Sequence, residues 1–226
     1  MLRSDPLPGA LVVLTVMTGM LDAISYLGLG KVFLAMMTGN AIFLGLSISG
    51  VTGFSTLRVL LAFACFATGI VLGTRAGRVA ERRARRHWFF HAMAVELLVL
   101  AVATGLAFLV PAAGTPARTV VIALLALAMG ARCATVRRLA VPDLPVTVGL
   151  TGTLIALVQD SPLTGGADAL ALRKAGVVLA MPLGAALGGL LMTAFGLGWS
   201  LLAALGLVLL VTAGVWWHPA GPARRG

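Results

Sequence analysis

The sequence predicts an all-α integral membrane protein: six transmembrane helices plus two broken, re-entrant segments, arranged as two repeats of inverted topology. Three observations lead there. The chain is 60% hydrophobic and only 11% charged, with a mean hydropathy of +1.05, far outside the range of a soluble domain. Several stretches approach the roughly 20 apolar residues needed to cross a bilayer. Finally, two parts of the chain look like copies. Gly19-Met20-Leu21-Asp22-Ala23 leads to Met37-Thr38-Gly39-Asn40, and Gly130-Ala131-Arg132-Cys133-Ala134 leads to Leu150-Thr151-Gly152-Thr153. The step from Ala23 to Gly39 is 16 residues and that from Ala134 to Gly152 is 18. Gly69 follows Gly39 by 30 residues and Gly184 follows Gly152 by 32, each opening a Gly-x-x-x-Gly step. Many membrane transporters are built from two such halves.

Eight apolar segments follow in order: 7–29, 32–50, 57–73, 88–110, 119–132, 144–158, 175–195 and 199–217. The repeat pairs the first four with the last four, so one membrane domain of 1–226 divides into a first repeat, 1–112, and a second, 113–226. The first segment has one Arg before it and no small-x-small cleavage site, which reads as a span rather than a signal peptide. The second and sixth carry Thr-Gly near their middles, and the sixth adds Pro145 and Gly149. Gly costs about 1 kcal/mol relative to Ala within a helix. Irregular backbone at membrane depth is tolerated only where protein or a water-filled cavity satisfies it. Those two segments are therefore expected to dip in and return. The third and seventh carry small-residue stripes, Gly69, Gly73, Gly77 and Ala180, Gly184, Gly188. Such stripes let helix backbones approach closely, within the chain or in a homo-oligomer. Trp88, Trp199, Trp216 and Trp217 fall at segment ends and read as interface anchors.

Charge sets the orientation. If all eight segments cross, with the arginine-rich connection 75–87 inside, the 17 Lys and Arg residues divide 10 inside to 7 outside. If the second and sixth are re-entrant, only Lys31, Arg58 and Arg118 lie outside and 14 lie inside. Positive residues near span ends favour the cytoplasm. The second arrangement puts both termini there. Three full spans per copy is an odd number, so the copies are inverted.

The net charge of +10 is explained by these orienting arginines; no aromatic-interleaved basic domain suggests nucleic acid. Cys65 and Cys133 lie in apolar segments and form no disulfide framework. The motifs resemble the YoaK family of bacterial membrane proteins of unknown function. The resemblance rests on Gly19-x-x-Asp22-Ala23, Tyr26-Leu27-Gly28, Val32-Phe33 and Met37-Thr38-Gly39-Asn40, and resumes at Ala128-Met129-Gly130, Arg137-Arg138, Val141-Pro142-Asp143 and Leu150-Thr151-Gly152-Thr153-Leu154. It implies six spans in the bacterial cytoplasmic (inner) membrane and supplies no activity. Where the family pattern has Gln-Asn, this chain has Arg132-Cys133.

Candidate binding residues follow from position. Asp22 is an ionisable group inside a span, which is expensive and marks a pathway, unless it pairs with Lys31 near the interface. Tyr26 accompanies it in the family block. Thr38, Gly39 and Asn40, with Thr151, Gly152 and Thr153, mark the two breaks, where backbone N–H groups and carbonyls of half-helices hold ions and polar groups. The two breaks are expected to face one another. Arg132, near the end of the fifth segment, either neutralises an anionic substrate, pairs with Asp22, or snorkels to lipid phosphate, the last being favoured. Glu96, five residues after His91, is either a proton-coupling group or the partner of a cation on another helix.

An enzyme is disfavoured. His87, His91 and His218 have no metal-ligand spacing, and no cofactor-binding motif is present. The reading is a small-solute transporter or channel with a midplane site between the repeats, Asp22 and Glu96 being the proton-coupling candidates. The alternative is a non-transporting scaffold or partner of another membrane protein. Charges converging on a cavity favour the first, and charges facing lipid the second.

Overall fold

A computed structural model describes residues 7–79, 85–109, 116–139, 150–164 and 171–217. The terminal residues and the stretch 140–149, which holds Pro145 and Gly149, lie outside the described residues. The elements are α1 (Leu7–Ser25), a π-helical turn (Tyr26–Gly30), α2 (Met37–Ile48), α3 (Thr56–Val79), α4 (Arg85–Leu109), α5 (Pro116–Leu139), α6 (Leu150–Gln159), a short 3₁₀ turn (Pro162–Thr164) and α7 (Ala171–Trp217). No strand occurs among the described residues. Five of the helices are long and apolar enough to cross a membrane. At 1.5 Å per residue α2 and α6 reach only about 18 and 15 Å, short of a hydrocarbon core of about 30 Å.

Burial sorts the long helices into two layers. About two thirds of the α1 segment and 61% of α5 are buried, against 22–33% for α3, α4 and α7. α1 and α5 therefore form the centre, and the outer three present Leu60, Leu98, Leu190 and similar side chains outward. Such an apolar exterior has no place in water and suits lipid.

The central helices are held by glycine contacts that repeat. A Cβ on Gly19 of α1 would strike the Met181 carbonyl and Ala185 amide of α7; one on Gly130 of α5 would strike the Phe66 carbonyl and Ile70 amide of α3. In the other direction, Gly184 and Gly188 lie on the Val16 and Met20 carbonyls, and Gly69 and Gly73 on those of Leu127 and Ala131. Adding 111 to each α1 number gives its α5 equivalent, and adding 115 to each α3 number gives its α7 equivalent. Both interfaces run parallel, and both Gly-x-x-x-Gly steps are occupied within one chain. Likewise α2 packs on α3, and α6 on α7.

Several boundaries differ from those read in the sequence. The third segment continues to Val79 and the fifth to Leu139, because arginine stems are good helix formers and extend the helix beyond its apolar part. The connection 75–87 is accordingly mostly helix at both ends. The break in the second segment does not fall at Thr38-Gly39. It falls upstream, where Gly30 (φ 106°) and Lys31 (φ 56°) end the π turn and residues 31–36 run without helix to α2. Thr38 and Gly39 instead lie in the first turn of α2. Trp88 is buried rather than at an interface, beneath the Arg138 guanidinium at 5.7 Å.

Replacing Gly130 or Gly184 by Val puts a side chain onto a facing backbone carbonyl. Each change should cost about 1–3 kcal/mol or more of overpacking. Gly152→Val, where nothing lies within 4 Å of the new Cβ, should be near neutral by comparison. Thermal unfolding of the purified protein in detergent measures the difference.

Candidate functional site

α1 carries a polar track through the centre of the bundle. Thr18, Asp22 and Ser25 are spaced four and three residues apart, so they share one face. All three are buried, Asp22 at 3% exposure. Thr18 donates to the Leu14 carbonyl one turn back (2.9 Å). The track meets charges from two other helices.

Arg132 of α5 is 2% exposed and each of its five N–H groups has a partner. Nε donates to Glu96 Oε2 at 3.0 Å and Nη2 to Glu96 Oε1, a bidentate pair with α4. Nη1 donates to Thr18 Oγ1 (3.2 Å) and the Leu14 carbonyl (3.3 Å), and Nη2 also reaches Met17 Sδ. The expectation that Arg132 snorkels to lipid is thus overturned. α5 continues for two more turns, which places the guanidinium inside the bundle rather than at its end. Nor does it pair with Asp22. Glu96 takes the alternative role foreseen for it, partner of a cation on another helix. Glu96, Arg132 and His91 line a cavity of about 490 Å³ between α3, α4 and α5, walled mostly by apolar side chains such as Leu72, Val95 and Leu127. His91 Nδ1 lies 2.7 Å from the His87 carbonyl.

Asp22 does a different job from any foreseen. Its Oδ1 accepts the backbone N–H groups of Leu34 (2.7 Å) and Ala35 (2.9 Å) in the non-helical stretch 31–36. Asn40, in the first turn of α2, completes the clamp: its Oδ1 accepts the Phe33 N–H and its Nδ2 donates to the Phe33 carbonyl, both at 2.8 Å. Two side chains thereby satisfy four backbone groups that no helix serves, as a low-dielectric interior requires. Lys31 does not pair with Asp22; its Nζ sits over the Phe54 ring at 5.1 Å. Tyr26, Phe33 and Phe43 stack in one cluster with centroids 5.2–5.9 Å apart, and Phe54 extends it. A Cβ on Gly39 would lie 2.6 Å from the Phe33 ring, so glycine is what lets that ring lie on α2. Thr38 is exposed.

Asp22 Oδ2 and Ser25 Oγ are buried without a hydrogen-bond partner. The carboxylate therefore has one oxygen committed to the fold and one buried without a partner, one turn from Thr18.

The stretch that would correspond to 31–36 in the second half falls within 140–149, outside the described residues. Cys133 stands where Asp22 would, and Thr153 where Asn40 would. Thr151 and Gly152 are exposed at the start of α6, and Thr153 is buried. α2 packs on α3 and α6 on α7, and α2 and α6 are not among the helix pairs in extensive contact. Ser25, Thr18 and Met17 escaped the sequence reading. The i, i+3, i+4 spacing from Asp22 was the available signal for the two hydroxyls.

Against this geometry, the family profile described as "Protein of unknown function (DUF1275)" matches residues 10–214. The chain belongs to this family. It is 36% identical over 145 residues to the UPF0700 transmembrane protein YoaK of Bacillus subtilis (strain 168). That match covers 63% of this chain and 61% of the relative's length. No solved structure matches. The family relation and the apolar helices make this a multi-pass membrane protein.

Removing one member of a buried pair leaves the other charge unsatisfied at a cost of about 3–5 kcal/mol. Arg132→Met or Glu96→Met alone should therefore unfold the protein at markedly lower temperature in detergent. The double replacement, which leaves no orphan charge, should recover most of that loss. Additive losses would show that the two residues are not coupled.

Proposed function

We propose that the chain is a small-solute transporter or channel of six spans, built from two inverted copies, with its permeation path along the polar track of α1. The observation that carries this reading is the convergence of charge on the interior. Asp22, Glu96 and Arg132 come from three helices, all buried, and the last two line a cavity of about 490 Å³, a size that suits a small solute. Charges serving a partner protein would instead be expected on the outer stripes of α3, α4 or α7.

The six-span arrangement is supported by α7. As one rod its 47 residues would measure about 70 Å, more than twice the hydrocarbon core. Gly196 interrupts it with φ 76° and ψ −176°, a conformation only glycine adopts readily. Before that residue α7 follows α1; after it, Trp199 meets Phe108 and Trp216 meets Phe90, so the second arm runs antiparallel to α4. From α4, crossings by α5 and the two arms of α7 reverse direction three times and give that antiparallel pair. A crossing by α6 would add a fourth reversal and make it parallel. The contact-for-contact agreement of the α1–α7 and α5–α3 interfaces supports a pseudo-two-fold relation between the copies. With the re-entrant α2 and α6, the positive-inside preference places both termini in the cytoplasm.

In this mechanism the midplane site is the cavity lined by the Arg132–Glu96 pair, and the Thr18 hydroxyl that accepts from Arg132 links it to Asp22 and Ser25 along α1. Asp22 couples transport to protons or recognises a cationic group through Oδ2, while Oδ1 holds the chain break in place. Glu96 is the secondary coupling group, available when its pair with Arg132 opens.

Reconstitution tests the reading. Vesicles holding the protein should accumulate at least one member of a broad solute panel above protein-free vesicles, with a rate that responds to an imposed pH gradient. Asp22→Asn keeps an oxygen for the Leu34 and Ala35 amides and removes the charge. It should retain the fold, by circular dichroism and gel filtration, yet lose the pH response. If Asp22→Asn transports with an unchanged rate and pH profile, the carboxylate is a clamp only. Uptake no higher than in empty vesicles across the panel would remove the transport proposal itself. Labelling of single cysteines at positions 3 and 224 from outside intact cells reads the topology; neither should react.

A further inference from the structure

A second cleft lies along the α3–α5 pair, bordered by Gly73 in common with the cavity just described but otherwise lined by different residues. Its volume is about 420 Å³, and its lining includes Arg78 and Thr74 of α3 with Arg137, Arg138 and Cys133 of α5. α3 and α5 run parallel, so the last turns of both bring three guanidinium groups to one end of the bundle. Some of this positive charge is explained by the exposed carbonyls at two helix C-termini. Three cations around one cleft still repel each other, and nothing described offsets them. Every described carboxylate is engaged elsewhere: Asp22 with the 31–36 stretch, Glu96 with Arg132, and Asp160 with Lys174.

The cleft is also shaped rather than loose. Arg138 lies over the Trp88 ring at 5.7 Å, and a Cβ on Gly77 would come within 3.0 Å of its Cδ. A glycine below and an indole beside it fix where this guanidinium points, so less ordering entropy is lost when it binds. Guanidinium pairs match phosphate oxygens bidentately, and basic pockets between membrane helices hold phosphate headgroups. We propose that Arg78, Arg137 and Arg138 form a binding site for a phosphate-bearing anion at the α3–α5 end of the bundle. The site is separate from the proposed solute path, since its residues take no part in the polar track of α1.

The two sources of that chemistry, an anionic lipid headgroup and a free phosphate compound, separate in one experiment. Binding to the full-length protein in detergent is measured by native mass spectrometry and by thermal shift. The probes are phosphatidylglycerol, phosphatidylcholine, inorganic phosphate and glycerol 3-phosphate. Wild type should retain phosphatidylglycerol over phosphatidylcholine, or bind the soluble phosphates. The first result assigns a lipid headgroup and the second a soluble anion. At about 1 kcal/mol per arginine near an anionic headgroup, one Arg→Gln change should weaken binding about fivefold, and the triple change roughly 100-fold. Arg118→Gln, at the other end of α5, should change it little. Gly77→Leu, which displaces Arg138 without altering charge, should weaken binding several-fold. Should the triple Gln protein fail to fold, the triple Lys variant keeps the charge and should still bind several-fold more weakly, for want of the planar fork. Wild type that binds none of the anionic probes overturns the proposal. So does a folded triple variant that binds as tightly as wild type, or an equal loss in Arg118→Gln.

Discussion

A guanidinium placed in the middle of a membrane bundle must find five hydrogen-bond acceptors without water, and the way Arg132 finds them organises the centre of this protein. Glu96 supplies two oxygens from α4, and α1 supplies a carbonyl, a hydroxyl and a thioether. One side chain thus ties three helices at one depth. Burying such a pair is costly and is offset only when the geometry satisfies both ions, which explains why α1 places Thr18 one turn after Leu14. The hydroxyl and carbonyl together receive the guanidinium edge that Glu96 does not.

The same constraint acts on the backbone. Residues 31–36 leave the helix inside an apolar protein, and their amides are served by Asp22 and Asn40 rather than by water. Asp22 is therefore structural through one oxygen and free to be functional through the other. This division answers a problem that the copies raise. Only the first carries a carboxylate and an amide at the equivalent positions; the second has Cys133 and Thr153. The asymmetry is chemical, because the glycine contacts that pack the copies together agree residue by residue. The glycine packing is alike in the two helix pairs, while the polar residues at the corresponding sequence positions differ.

The amino-acid pattern by itself determined the membrane class, the approximate positions of the apolar segments and the glycine spacing that two helix pairs share. Hydropathy summed over about 20 residues is insensitive to what a segment touches, and small-residue spacing survives as packing whatever the partner. Hence Gly19, Gly69, Gly130 and Gly184 could be aligned without knowing that each lies on the backbone of the other copy. Asp22, Glu96 and Arg132 were legible as exceptions because charge in a span is expensive. Which partner each one took was decided only by the tertiary structure. A buried ion's partner is 36 residues away for Arg132 and Glu96, and it depends on how α4 and α5 face each other. Arg132 read as snorkelling because the apolar run stops there, whereas the helix itself continues to Leu139. The chain break read as Thr38-Gly39 because glycine weakens helices; in the fold that glycine makes room for Phe33, and the break moves to Gly30 and Lys31, where the backbone turns left-handed. Local propensity sets where a helix is weak, and the satisfaction of buried polar groups sets where it ends.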